Sequence, residues 1–156
     1  SKDFVENTIT ILSELDLDPK NIHLELTESV FSENIDQINS VFRQLNDYGI
    51  KISIDDFGTA YSSLSRLREL QVDTIKIDRP FIAKINDLDK EITITSDIIS
   101  MAHKMDLLVV AEGVETKYQY DYLKQFNCDK IQGFLISKPL DEQEAFTFAE
   151  NLGNNY

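Results

Sequence analysis

Five short stretches of the chain carry strand-like patterning: IHLEL at residues 22–26, KISID at 51–55, TIKID at 74–78, LLVVAE at 107–112 and KIQGFL at 130–135. Most of them alternate apolar and polar residues, the period of a β-strand with one buried face. Between them the apolar spacing lengthens to three and four. Ile35, Ile38, Val41, Phe42 and Leu45 fall on one helical stripe that ends at Gly49, and further helices are predicted over residues 3–15, 91–104 and 141–151. The chain reads as a helix followed by five βα repeats.

Strands alternating with helices, without hairpin signals, imply a parallel sheet with right-handed crossovers. Doubly wound sheets and (β/α) barrels both fit, and the strand faces separate them. Ile22, Leu24 and Leu26 share one face opposite His23, Glu25 and Thr27; Ile52 and Ile54 oppose Ser53 and Asp55; Ile75 and Ile77 oppose Thr74, Lys76 and Asp78. Strands covered by helices on both faces would be apolar almost throughout. Here one face turns polar toward the C-terminal ends, which predicts an α/β fold of TIM-type barrel with helices outside and a polar mouth. Five βα units are short of the eight in a barrel of about 250 residues. The expectation is therefore an incomplete barrel, one domain over residues 1–156 whose N-terminal βα units lie before Ser1.

The strand ends and the residues just after them bring Glu25 and Glu28, Asp55 and Asp56, Lys76 and Asp78, Glu112 and Glu115, and Gln132 toward one rim. Each has a purely structural alternative: Glu28 as a helix cap, Asp56 as a turn residue, Lys76 as the partner of one carboxylate. Gathered together, the carboxylates would repel one another without cations, and an oxygen-rich cluster suits Mg²⁺ or Mn²⁺. With Asp55 on the inner face and Asp56 at the strand exit, two ions roughly 4 Å apart are accommodated, the arrangement that serves phosphodiester hydrolysis.

Composition narrows the ligand class. A content of 42% hydrophobic and 28% charged residues describes a folded globular chain. The apolar run at residues 107–111 is far below the roughly 20 residues of a membrane span. The first ten residues lack the basic start and apolar core of a secretory signal. A single cysteine, Cys128, excludes an internal disulfide and a Cys-rich zinc framework and fits a reducing cytoplasm, leaving open a membrane anchor in a longer parent. The net charge of −13 argues against a nucleic-acid polymer as partner. A divalent ion reverses the local sign, so a small anionic ligand is still compatible.

The segments LELTES at residues 24–29, IDDFGTAYSSL at 54–64, TIKID at 74–78, VVAEGVET at 109–116 and QGFLISKP at 132–139 resemble, in order and spacing, the successive signatures of the EAL domain. That family comprises bacterial second-messenger enzymes, the cyclic-di-GMP phosphodiesterases. The resemblance covers this whole chain but only about the last three-fifths of the family's barrel. It implies hydrolysis of one phosphodiester of cyclic-di-GMP to the linear dinucleotide, using Mg²⁺ or Mn²⁺. By the same resemblance Glu25, Asp55 and Asp56 are metal ligands, Glu112 is ligand or general base, and Lys76 contacts the attacking water. Glu28 tethers the loop after Asp56, Asp78 supports the metal shell, and Glu115 and Gln132 complete the outer rim.

Three departures from the family pattern qualify this. The Glu-Ala-Leu motif, with its metal-binding Glu and nearby substrate-binding Arg, and the following strand's metal-binding Asn would both fall upstream of Ser1. Ala60 stands where the family has a second Gly, in a loop that couples dimer contacts to metal binding. The residues present are thus expected to give little or no hydrolysis on their own. Two other readings follow: a noncatalytic cyclic-di-GMP receptor, and a self-associating module that dimerises or swaps elements across its open edges. An upstream sensory or diguanylate-cyclase-type domain is compatible with all three.

The other residues read as structural. His23 is expected to pack and His103 to lie on an exposed helix end. Tyr118, Tyr120, Tyr122 and Phe126 read as a helix face, Ser62 and Ser63 as helix caps, and Cys128 as a space-filling thiol.

Overall fold

Isoleucine-rich faces set five parallel strands side by side in chain order. In the computed structural model, which describes residues 2–58, 64–85 and 94–153, β1 (His23–Thr27), β2 (Lys51–Phe57), β3 (Thr74–Ile77), β4 (Leu108–Glu112) and β5 (Lys130–Gln132) form one sheet in that sequence. Every pairing is parallel. A doubly wound sheet reverses its strand order at a switch point. This one never does, so the crossovers all run the same way, as in a barrel wall.

The aliphatic face is the core. Ile52, Ile54, Ile75, Ile77, Val109 and Ala111 are fully buried. Against them pack Phe42 and Leu45 of α2 (Ile35–Tyr48), Ile99 and Ala102 of α5 (Ile94–His103) and Leu123 of α6 (Lys117–Gln125). Val5 and Leu12 of α1 (Lys2–Glu14), Leu67 of α3 (Leu64–Glu69) and Ile82 of α4 (Arg79–Ile82) join the same cluster. Burying each such side chain contributes about 1.5–3 kcal/mol. The last helix, α7 (Glu142–Gly153), is mostly exposed.

Local signals fix the helix ends. Asn34 Oδ1 accepts from the Gln37 amide at 3.2 Å to open α2, and Gly49, at φ 99°, closes it. Thr116 and Gln119 form a reciprocal capping box at the start of α6, a T-x-x-Q pattern visible in the sequence. Asp141 and Glu144 exchange similar bonds at α7.

β1, β3 and β4 lie within one residue of the sequence expectation at each end, and two strand boundaries differ by more. β2 continues to Phe57, and β5 stops at Gln132 because residues 133–136 turn, with the Ile136 amide donating to the Gly133 carbonyl at 3.0 Å. Of the helix expected over 91–104, the described part is α5. Ala60, Ser62 and Ser63 lie outside the described residues. His23 is exposed at the start of β1 rather than packed, because it begins the edge strand on the polar face. His103, by contrast, is half-buried, its Nε2 lying 2.9 Å from Asp129 Oδ2.

Candidate active site

β3 points Lys76 at the polar face of the sheet, between strands that each carry an acid. Its Nζ lies 2.7 Å from Glu112 Oε1, 2.8 Å from Glu25 Oε2 and 3.1 Å from Asp55 Oδ1. Those partners come from β4, β1 and β2 respectively. The Lys76 side chain is only 9% exposed. Burial works against its charge, but hydrogen bonds to Glu112, Glu25 and Asp55 outweigh that and hold the ammonium well above its ordinary pKa.

Asp55 and Asp56 face this lysine through a bulge. Ile54 pairs with Ile75 and Phe57 with Ile77, so two residues of β2 oppose the single residue Lys76. Asp56 sits at φ 54°, in the left-handed region that aspartate tolerates better than most residues. Its amide donates to Asp55 Oδ1 at 3.0 Å. The Asp55 charge, followed by partial desolvation and the Asp78 charge, pushes the Asp56 carboxyl above its usual range despite the opposing effect of Lys76.

One oxygen from each of Asp55, Asp56 and Glu112 lies within 4.8 Å of the others. Ions with oxygen bonds of about 2.1 to 2.4 Å hold ligand atoms up to about 4.2 to 4.8 Å apart. The all-carboxylate set therefore fits a hard divalent cation in both chemistry and spacing.

Around the cluster, the other predicted rim residues take defined places. Glu28, buried in the turn after β1, accepts the Gly58 amide on Oε1 at 2.7 Å, and so ties down the segment after Asp56. Asp78 caps α4 by accepting from the Arg79 amide at 2.7 Å, while its charge still reaches Asp56. Glu115 is part-exposed and paired with Arg79 Nη2 at 2.6 Å. Its amide donates to Gln119 Oε1 at 2.8 Å. Gln132 is exposed at the end of β5, in register with Glu112.

Sequence reasoning missed Arg79 and the short helix it starts. Asp-Arg-Pro at residues 78–80 was the available signal, since Asp favours the cap position and Pro the first turn. Tyr118, Tyr120 and Tyr122 do lie on a helix, α6, and the Tyr122 ring packs 4.7 Å from that of Phe126 just beyond its end.

The sequence matches the EAL domain over residues 1–139. The chain belongs to the EAL domain family. This EAL chain is 46% identical over 119 residues to the cyclic di-GMP phosphodiesterase NbdA of Pseudomonas aeruginosa, covering 76% of the chain and 15% of that protein. Among solved structures, the PaMucR phosphodiesterase in complex with c-di-GMP superposes with a TM-score of 0.81 at 37% identity, over 90% of this chain and 57% of that one. The manganese/cy-diGMP complex of Klebsiella pneumoniae BlrP1 gives a TM-score of 0.77 at 33% identity, over 89% of this chain and 36% of that one. The EAL chain spans about 15–22% of the length of the curated relatives it matches. Its parallel sheet and outer helices are those of an EAL barrel in part.

Proposed function

We propose that residues 1–156 are the C-terminal part of a single EAL-type barrel that hydrolyses cyclic-di-GMP to its linear dinucleotide. The observation that carries this is the convergence of Glu25, Asp55 and Glu112 on Lys76 Nζ, with Asp56 beside them. Relatives named as cyclic di-GMP phosphodiesterases, and neighbours solved with that ligand, support the substrate. A neighbour solved with manganese supports the cofactor class, Mg²⁺ or Mn²⁺.

Asp55, Asp56 and Glu112 would hold the cation, with Glu25 a further ligand. When bound, the ions supply a water of lowered pKa and neutralise charge on the phosphoryl oxygens. The three N–H donors of Lys76 are shared among three of the acids, and one of them would turn to the nucleophilic water once a carboxylate is drawn onto the cation. Glu112 accepts the water proton. The water oxygen bonds to phosphorus, one P–O bond breaks, and the departing oxygen takes a proton from solvent water, or the one held by Glu112, to leave as a hydroxyl. Glu28 keeps the Asp56 segment in place, and Asp78, Glu115 and Gln132 shape the rim.

Upstream βα units would complete both barrel and metal shell, so residues 1–156 alone are expected to be weakly active or inactive. Among the described residues β1 and β5 are the edge strands of the sheet, and in residues 1–156 alone those edges would invite a second chain, so a dimer or swapped oligomer of that piece is expected by light scattering. An upstream sensory or cyclase-type domain and a cytoplasmic location fit the same picture.

The test is product chromatography after incubating the full protein that carries this chain with cyclic-di-GMP and Mg²⁺ or Mn²⁺. Linear dinucleotide, lost on Lys76→Met, supports the proposal. Tight binding by calorimetry with no product under either ion would establish a receptor instead.

A further inference from the structure

We infer that Phe81 is a positioning residue for the Asp55–Asp56 pair, acting through Gly58; this rests on the metal-site reading above. β2 leaves the sheet through two left-handed positions within three residues, Asp56 at φ 54° and Gly58 at φ 100°. Backbone of this kind persists only when its surroundings hold it. Two contacts do so. Glu28 Oε1 takes the Gly58 amide from the β1 side at 2.7 Å. The Phe81 ring lies against the bare Cα, so that a Cβ at Gly58 would stand 2.7 Å from Cζ and 2.8 Å from Cε2 of the ring.

The ring is anchored by its own element. The Phe81 amide donates to the Asp78 carbonyl at 3.0 Å. Its carbonyl accepts from Thr95 Oγ1 of α5 at 3.4 Å, and Thr95 is fully buried. The next residue, Ile82, is fully buried too. α4 follows directly from β3, the strand that carries Lys76. Phe81 is thus a wedge between the exit of β2 and the element continuous with Lys76, and it fixes how far the bulge stands from the lysine. With no polar side-chain atom it neither ligates a metal ion nor moves a proton, and the one cation over its ring among the described residues is the Lys84 ammonium, 5.6 Å from the centroid.

The experiment compares Phe81→Ala and Phe81→Leu with the wild-type protein. In metal-free protein, hydrogen exchange at the Gly58 amide is expected to be severalfold faster in Phe81→Ala, with Ile52 and Ile54 in the core strand unchanged. Mn²⁺ affinity by calorimetry is expected to fall about tenfold, as for other residues that orient ligands, and Phe81→Leu to recover most of both. Unchanged Gly58 protection overturns the inference, as does unchanged Mn²⁺ affinity in a Phe81→Ala protein whose wild type binds the ion. A wild type that binds no Mn²⁺ overturns the metal-site reading itself. Should Phe81→Ala fail to fold, Phe81→Leu is judged by the same two measurements, with a smaller effect in the same direction expected and no effect counting against.

Discussion

Asp55 and Asp56 are consecutive in β2, yet both offer carboxylate oxygens to one cluster with Glu112, all within 4.8 Å. Neighbours on a regular strand point to opposite faces. The bulge opposite Lys76, and the left-handed turn at Asp56, cancel that alternation. Like charges are thereby held together, and the Asp55 charge pushes the Asp56 carboxyl above its usual range. A divalent cation bound there would relieve the repulsion.

Lys76 is the internal cation of this site, so Lys76→Met leaves Glu25, Asp55 and Glu112 facing one another unneutralised. Breaking a buried charge group costs about 3–5 kcal/mol. Because these carboxylates are partly exposed to solvent, the expected loss in metal-free protein is about 2 kcal/mol. Urea denaturation with and without Mn²⁺ measures it, and Mn²⁺ should stabilise the variant more than the wild type.

Asp56 contributes both charge and an unusual backbone, and two substitutions separate them. Removing the charge relieves the repulsion with Asp55 and Asn tolerates the left-handed region, so Asp56→Asn should match or exceed wild-type stability in metal-free protein and lose Mn²⁺ affinity. Ala does not, and Asp56→Ala should lose the same affinity and a further ~1 kcal/mol of stability. Equal denaturation midpoints for the two variants would remove backbone strain from the account.

Asp129 contributes stability that is lost at low pH. Burial opposes its charge, but the hydrogen bonds from His103 at 2.9 Å and the Val109 amide at 2.8 Å outweigh burial and hold the carboxyl below its usual range. A depressed folded pKa gives stability that is present above the unfolded value of about 3.9 and is lost as pH falls through the folded one. At about pH 5 the stability difference between wild type and Asp129→Asn should be about 1–2 kcal/mol. It should shrink steadily on acidification, as followed by denaturation at a series of pH values.

Cys128 should resist alkylation. Burial raises its thiol to about 11, and its Sγ lies 3.3 Å from the Lys130 carbonyl. Thiolate is scarce at pH 8, so iodoacetamide should label the native protein far more slowly than the urea-unfolded protein. Equal rates would mean that the β4–β5 region opens readily.

Much of the architecture was legible in the chain itself, because period-two and helical apolar spacing act through burial, which is local in sequence and indifferent to detail. Ile52 and Ile54, or Phe42 and Leu45, could hardly face anything but a core. The acids at the strand ends were legible for the same reason: once strands are parallel, their C-terminal ends must share a rim. The extent of β2 was not, nor was α4, since a bulge and a four-residue helix leave little periodicity to detect. Tertiary structure alone decided that Lys76 touches three acids at once, that Asp56 turns back toward Asp55, and that Phe81 seats on Gly58. Those relationships depend on distances between strands far apart in the chain, which the pattern on any one strand does not encode.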